Sequence, residues 1–297
     1  MTLSPRVVVV HRRTEREELV RQQGTWGQAT FVQSRRGLSL STVQAKHSSA
    51  ETSLQTVSAA IPSGWRRGAV ERSDLDRFLF EPEDVVIVVG QDGLVANTAK
   101  YLSGQPVIGV NPVPGDGMGV LVRHTPDRCA ALLAEVAEQR ATTEERTMVA
   151  AAGGDGLEMM ALNEVYLGSP GHQSARYLLR LPDGRTEAQS SSGMLIGTGT
   201  GATGWLLSAA RERHSSLTLP APTEPTLGWF VREAWPSPNT GADLTEGLIG
   251  PGSELSVLVQ SESLVLFGDG IENDRLTLGW GQTVTIRAAS RKLVLVV

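Results

Sequence analysis

The chain has 297 residues, of which 40% are hydrophobic and 20% charged, and its formal net charge is −5. This length favours two domains, and the acidic balance argues against a nucleic-acid partner, because phosphate binding needs a basic face. No apolar run approaches the roughly 20 residues that cross a bilayer, so we expect no membrane span and a cytoplasmic protein. The single cysteine, Cys129, excludes an internal disulfide, and its helix-forming neighbours predict a buried core thiol.

Short apolar runs alternate with helical stretches in the first half of the chain. RVVVV, DVVIVV and PVIGV are typical of buried strands, and a helical pattern follows each of them. This order predicts a Rossmann-like α/β domain with a parallel sheet over residues 1–142. Thr125 followed by Pro126 predicts the start of a helix that runs through Arg140. Arg66 and Arg67 are expected in an exposed loop.

After about residue 142 the pattern changes to short strand-like segments. They predict a β-rich, sandwich-like domain over residues 143–285, followed by a last apolar segment at 286–297. One helix, ATGWLLSAARER, interrupts the strands directly after the run GTGTG. The fold class predicted from the sequence is therefore α/β plus β.

Two glycine turns look almost alike, VIVVGQDGLVAN at 87–98 and VAAAGGDGLEMM at 149–160. The first joins a buried strand to a helix, and such a junction presents backbone N–H groups at the sheet edge where phosphates bind. Asp92 within it opposes phosphate binding unless it takes a proton or holds a metal, so we interpret Asp92 as a reacting group. An ordinary tight turn explains the local pattern equally well. The second copy, with Asp155, is typical of a hairpin turn and is not the predicted site.

Further polar motifs follow in the β-rich half. Asn163 and Glu164 are adjacent in ALNEVYL, where successive side chains of a strand point to opposite faces. SSGMLIGTGTGATGWLL indicates a second strand, glycine turn and helix, in which threonine hydroxyls and open amides can form an anion-binding edge. These hydroxyls belong to Thr198, Thr200 and Thr203. A last aspartate, Asp269, comes after the strand LVLFG.

The order of these motifs resembles the NAD kinase family, which forms a superfamily with diacylglycerol and sphingosine kinases. The resemblance rests on GQDG at 90–93, LNEV at 162–165, GTGTGATGW at 197–205 and GDG at 268–270, and it covers roughly residues 80–297. It implies a C-terminal segment that returns to the first domain. It also implies a homodimer or homotetramer that acts on a small-molecule nucleotide.

The resemblance implies a role for each motif. Asp92 would accept a proton from the ribose 2′-hydroxyl of NAD while ATP, carried with Mg²⁺, delivers its γ-phosphoryl group. Asn163 and Glu164 would hold the adenosine end of the acceptor. The other residues expected to contact nucleotide are Gly90, Gln91, Gly93, Thr198, Thr200, Gly201, Thr203, Trp205, Ser208 and Asp269. Trp205 either stacks on a base or packs its helix on the sheet. No metal site made by the protein is expected, since the histidines lack metal-ligand spacing.

The chain departs from the family pattern at several positions. Gln91 replaces a glycine, and glutamine does not adopt positive φ freely. Ser192 replaces an aspartate that contacts the nicotinamide side of the acceptor in the family. Gly199 and Ala202 replace a proline and a serine of the threonine turn. These differences keep two alternatives open: a kinase of another small-molecule or lipid acceptor, and a non-catalytic NAD or ATP sensor.

Overall fold

A computed structural model describes residues 5–37, 39–113, 119–154 and 156–297 of the chain. The backbone divides into two compact units. The first consists of Met1–Glu144 together with Val294–Val297, and the second of Glu145–Leu293. Asp155 of the second glycine turn lies outside the described residues.

The first unit is built on a parallel sheet, as its apolar runs predict. Its strands are β1 (Arg6–His11), β2 (Arg66–Glu71), β3 (Asp84–Val89) and β4 (Pro106–Val110). They lie in the order β2-β1-β3-β4 and are all parallel. Residues Val294 and Leu295 add a further parallel partner at the edge of β4. The prediction of a loop at Arg66 and Arg67 was wrong, because both residues begin the edge strand β2.

Five helices accompany this sheet among the described residues of the first unit. They are α1 (Glu15–Gln23), α2 (Trp26–Ser34), α3 (Ser41–Ala60), α4 (Asp92–Ala99) and α5 (Cys129–Ala137). Thr14 caps α1 through a capping box with Glu17, which satisfies backbone N–H groups that the first turn leaves open. The helix predicted from Thr125 to Arg140 is shorter than expected. A 3₁₀ turn at Pro126–Arg128 precedes it, and α5 ends at Ala137.

Helix and sheet residues of the first unit share one apolar core. It includes Val7, Ile87 and Ile108 from three strands and Val57 from α3. Cys129 is fully buried in the same core, and burial raises the pKa of its thiol to about 12. The prediction of an inert core thiol is confirmed, because a thiol with such a pKa stays protonated at neutral pH.

The second unit contains two antiparallel sheets and one α-helix in its described residues. The first sheet includes β8 (Ala175–Arg180), β9 (Thr186–Ser191), β13 (Glu254–Val259) and β16 (Thr283–Val296), in the order β16-β13-β8-β9. The second sheet has the order β12-β11-β10-β7-β14-β15. Its strands are β7 (Glu164–Gly168), β10 (Met194–Gly197), β11 (Leu227–Val231), β12 (Glu246–Ile249), β14 (Ser263–Gly268) and β15 (Ile271–Gly279). The helix α6 spans Trp205–Glu212.

Alternate residues of both sheets meet in one apolar core, as in a sandwich. Tyr177 and Val257 come from the first sheet, and Leu167, Ile196 and Trp229 from the second. The predicted α/β plus β fold class is therefore confirmed. β5 (Thr143–Gly153) and β6 (Glu158–Ala161) pair antiparallel, as expected for a hairpin around the second glycine turn. No helix among the described residues is long and apolar enough to span a membrane.

Candidate functional site

The GQDG turn connects β3 to α4 at the carboxyl edge of the parallel sheet. Gly90 follows the strand, Gln91 is the N-cap residue, and Asp92 is the first residue of the helix. A Cβ at Gly90 would lie 2.8 Å from Cδ2 of Leu94, so a larger residue there would displace the end of the leucine side chain. Gln91 has an extended backbone, with φ −102° and ψ 166°. The departure at Gln91 is therefore compatible with the turn, since positive φ is not needed there.

The Asp92 carboxylate binds the backbone of a segment nearly thirty positions further along the chain. Oδ2 accepts a hydrogen bond from the N–H of Val120 at 2.8 Å. Oδ1 accepts bonds from the N–H groups of Leu121 and Val122 at 2.9 and 3.0 Å. We call this arrangement the amide clamp. The three bonds together fix the orientation of the carboxylate. Each bond to a charged acceptor is about twice as strong as a bond between neutral groups.

A cavity of about 590 Å³ adjoins the turn within the first unit. Its lining includes His11, Val89 and Asn111, which end or follow three parallel strands. Binding sites of α/β proteins lie at this sheet edge, and the volume is in the range of a small-molecule site. All four residues of the turn line the cavity: Gly90, Gln91, Asp92 and Gly93.

The cavity wall contains both charged and apolar side chains. The cations are Arg12, Arg13 and Lys46, and α3 adds the apolar side chains of Val43, Ala50 and Leu54. Three carboxylates besides Asp92 also line it: Glu15, Glu17 and Glu51. Glu17 belongs to the capping box of α1, and Arg13 lies 3.2 Å from Glu71. A ligand with an anionic end and an apolar ring matches this wall.

His47 is a buried wall residue that sequence analysis did not identify. Its ring is only 3% exposed. Nε2 lies 2.6 Å from Nη1 of Arg16, and Nδ1 lies 2.8 Å from Oγ1 of Thr14. Nε2 also lies 3.3 Å from Oε2 of Glu51. His47 thereby links the start of α1 to α3 beside the cavity. The only sequence signal for this wall was the basic pair Arg12 and Arg13 directly after β1.

In the second unit, the predicted threonine turn is bonded to the Asn163 region. The Thr198 hydroxyl donates to the carbonyl of Leu162 at 2.6 Å and accepts from the N–H groups of Thr200 and Gly201. The Thr198 N–H donates to the carbonyl of Asn163 at 2.8 Å. A Cβ at Gly201 would lie 2.3 Å from that same carbonyl oxygen, so the close approach requires glycine.

The other residues of this turn are more exposed or are bonded locally. Thr203 donates its hydroxyl to the carbonyl of Thr200 at 2.9 Å. Ser208 is exposed on α6, and its hydroxyl donates to the carbonyl of Gly204 at 3.3 Å. A second cavity of about 590 Å³ runs along α6 and is lined in part by Ala202, Thr203 and Arg211.

Asp269 joins the same cluster from the end of β14. Its carboxylate accepts hydrogen bonds from the N–H groups of Leu162 and Asn163 at 2.8 and 2.7 Å. Its own N–H donates to the carbonyl of Glu164 at 3.0 Å. The backbone of Asp269 has φ 52°, in the left-handed region that aspartate tolerates better than most residues. The predicted residues Asn163, Glu164, Thr198 and Asp269 are thus neighbours.

Glu164 has an unusual protonation equilibrium in this cluster. Burial raises its pKa from the ordinary value of 4.5 to about 7, and the negative charge of Asp269 contributes in the same direction. The carboxyl group is therefore partly protonated near neutral pH. It can donate a hydrogen bond as well as accept one, unlike an ordinary exposed glutamate.

We expect Glu164→Gln to stabilise the protein in a pH-dependent way. Glu164 binds its proton more tightly in the folded than in the unfolded chain, so its presence costs stability as pH rises from 4.5 to about 7. At about pH 8, the substitution should raise the free energy of unfolding by about 1–3 kcal/mol, with no difference near pH 4. Urea unfolding across this range measures the effect. A gain of equal size at every pH would contradict the argument.

Trp205 lies in a cluster of rings around Tyr166, which follows Glu164 on β7. Its indole stacks on Tyr166, with centroids 5.7 Å apart and planes inclined by 17°. The Tyr166 ring also contacts Phe267 at 5.1 Å, and the Arg232 guanidinium lies 5.5 Å from the Trp205 ring centroid. Trp205 is still 37% exposed. It therefore packs on a residue of the sheet and keeps accessible surface, so both expectations for this residue stay open.

The molecule thus combines a parallel α/β unit, which has a cavity at its glycine turn, with an antiparallel β unit. No protein-family model matches the chain. The NAD kinase of Aromatoleum aromaticum is 34% identical over 134 residues, which is 42% of this chain and 43% of that protein. The NAD kinase of Pseudomonas fluorescens is 27% identical over 232 residues, which is 74% of this chain and 72% of that protein.

A solved structure shares the fold over nearly the whole chain. It is an NAD kinase from Archaeoglobus fulgidus in complex with ATP, with a TM-score of 0.58 and 16% identity. The comparison covers 98% of this chain and 93% of that chain. In sequence, the chain spans less than half the length of the first relatives it matches, 43% for Aromatoleum aromaticum and 44% for Pseudomonas aeruginosa. The chain is thus similar in sequence to proteins named NAD kinase, and it shares its fold with a solved structure.

Proposed function

We propose that the protein is an ATP-dependent kinase of the NAD kinase type. It transfers the γ-phosphoryl group of ATP to the ribose 2′-hydroxyl of NAD or a related adenosine nucleotide, with Asp92 as the base. The observation that carries this proposal is the cavity at the GQDG turn, which Asp92 lines together with cationic and apolar side chains. The relatives named NAD kinase support the same reaction class.

The cavity suits the phosphoryl donor. Arg12 and Lys46 supply positive charge, and the first turn of α4 presents backbone N–H groups of the kind that bind phosphate. The apolar side chains of α3 can cover an adenine ring. An ATP complex of the Archaeoglobus fulgidus NAD kinase, which shares the fold, is consistent with this assignment.

The proposed step needs one proton acceptor and one leaving group. Asp92 takes the proton of the 2′-hydroxyl as its oxygen forms a bond to the γ-phosphorus. The bond from that phosphorus to the β,γ-bridging oxygen breaks, and ADP leaves with the electron pair. Such a reaction depends mainly on positioning and charge neutralisation, and a carboxylate held by three amides is well positioned.

Magnesium fits this proposal as an ion carried on the ATP phosphates. No group of three or more His, Cys, Asp or Glu side chains among the described residues could hold a metal ion. Mg²⁺ usually keeps several waters and binds through substrate phosphates, where it neutralises charge. The lining cations Arg12 and Lys46 would add to that neutralisation from the protein.

The cluster around Asn163 and Glu164 is our candidate for holding the acceptor. A Glu164 carboxyl group with a pKa of about 7 can donate or accept a hydrogen bond, which suits ribose hydroxyls. The partly exposed indole of Trp205 offers a flat surface for a base. A homodimer or homotetramer stays a prediction that rests on the resemblance, and a cytoplasmic location stays a prediction from the sequence.

The direct test is ADP release by the purified protein with Mg²⁺ and ATP. NAD, NADH and other adenosine nucleotides serve as acceptors, and mass spectrometry of the product locates the added phosphate. We expect NADP from NAD. If ADP forms only with a non-nucleotide alcohol, or with a lipid diol, the kinase class holds and the acceptor assignment is wrong.

A nucleotide sensor is the second candidate, because the amide clamp already engages both oxygens of Asp92. A sensor would show a melting temperature raised by ATP or NAD together with no ADP release for any acceptor. Binding of a ligand to the folded state alone raises stability in proportion to the logarithm of its concentration, so the two measurements separate the candidates.

A further inference from the structure

The amide clamp restricts which oxygen of Asp92 is available for chemistry. An ionised carboxylate offers about four lone-pair positions, two on each oxygen. Among the described residues, Leu121 and Val122 occupy both positions on Oδ1, and Val120 occupies one on Oδ2. One position on Oδ2 is left for a further donor. Asp92 lines the cavity, so this position is where a substrate hydroxyl can bind.

The clamp is possible only because residue 119 has no side chain. A Cβ at Gly119 would lie 2.2 Å from Oδ1 of Asp92 and 2.8 Å from Cγ2 of Val122. Glycine is therefore required at this position for space. Any larger residue must displace either the carboxylate or the amides.

The strand beneath holds the 119–122 segment in place. A Cβ at Gly109 in β4 would lie 2.1 Å from the carbonyl oxygen of Leu121, so a second glycine permits the close approach. The His124 N–H donates to the carbonyl of Gly109 at 3.1 Å, and the Asn111 N–H donates to the carbonyl of His124 at 2.9 Å. The chain directly after the segment is therefore bonded to the end of β4 at His124, independently of Asp92.

We propose that Gly119 is a positioning residue, which lets the amides of residues 120–122 fix the Asp92 carboxylate with only Oδ2 available to the substrate. This inference rests on the proposed function for its catalytic consequence. The clamp itself does not depend on that function, because it is a set of hydrogen bonds in the protein alone.

The variant Gly119→Ala tests the proposal. We expect kcat to fall roughly 10- to 100-fold while KM for ATP and NAD stays within about twofold, because the carboxylate is displaced and the rest of the cavity is kept. Gly64→Ala is the matched control, since a Cβ there meets nothing within 4 Å. Its kinetic constants should equal those of the unaltered protein.

Amide hydrogen exchange, measured by NMR, provides a readout that does not need turnover. In the unaltered protein, the N–H groups of Val120, Leu121 and Val122 should be protected. Gly119→Ala should lower that protection about tenfold or more, and the Gly64→Ala control should not. If Gly119→Ala fails to fold, Asp92→Asn should expose the same amides, since an asparagine side chain has only one acceptor oxygen.

Two results would overturn the proposal: unchanged protection of these amides, or lost protection with unchanged kcat. A rise in KM equal to the loss in kcat would also oppose it, because it would indicate damage to binding. If the unaltered protein releases no ADP with any acceptor, the proposed function fails. The exchange data then still decide whether the clamp exists and whether Gly119 is needed for it.

Discussion

Asp92→Asn should lower kcat about 100- to 10,000-fold in the ADP-release assay, the range typical for loss of a positioned general base. Asparagine has nearly the same shape, but it does not take a proton from the substrate hydroxyl. KM for ATP should change little, because cations and backbone amides hold the phosphates in our proposal. Steady-state kinetics with NAD as the varied acceptor give both constants.

The same substitution also affects the amide clamp. One side-chain oxygen becomes an NH₂ group that faces a backbone N–H donor, so at least one bond of the clamp is lost. We expect the free energy of unfolding to fall by about 1–3 kcal/mol. Asp76→Asn makes the same chemical change at an exposed carboxylate and serves as the control. Normal kcat in Asp92→Asn would exclude Asp92 as the base, whatever happens to stability.

Asp269→Ala should cause a large loss of stability. The alanine leaves the N–H groups of Leu162 and Asn163 without their acceptor, and it places a residue without polar side-chain atoms at φ 52°. Lost bonds to a carboxylate contribute about 1.5–3 kcal/mol, and the left-handed backbone adds about 1–2 kcal/mol. We therefore expect the free energy of unfolding to fall by about 2.5–5 kcal/mol in urea titrations.

Asp269→Asn separates the two causes. Asparagine tolerates the left-handed region and keeps one acceptor oxygen, so its loss should be about half that of the alanine variant. The exposed Asp243→Ala is the control for removal of one negative charge in the second unit. Equal losses in Asp269→Ala and Asp269→Asn would mean that the backbone conformation contributes nothing.

The fold was predictable where side chains carry strong patterns. β1 and β3 are unbroken β-branched runs, and both are buried as parallel strands should be. β2 and β9 were not predicted, because RRGAVE and TEAQSS contain few apolar residues. Each is the end strand in its sheet order, so only one neighbour constrains its composition. A separate last segment was predicted at 286–297, but β16 is one strand from Thr283 to Val296.

The site was only partly predictable. The turn at Asp92 has a local signature of strand, glycine and helix, which short-range patterns contain. The amide clamp has no such signature, since backbone N–H groups carry no sequence identity and they approach Asp92 through the glycines at 109 and 119. The wall residue His47 lies in the middle of α3, where one polar residue on a helix predicts nothing about burial.

The first unit is completed by residues from the end of the chain, Val294–Val297, and this has a consequence for synthesis of the protein. The partner of β4 at the sheet edge is supplied by Val294 and Leu295, and all of Glu145–Leu293 is translated before them. During translation, β4 therefore has an open edge of the kind that invites wrong pairing with other chains. A ribosome pause or a truncation before residue 294 would leave this edge open, even though every residue of the glycine turn and its cavity had already been made.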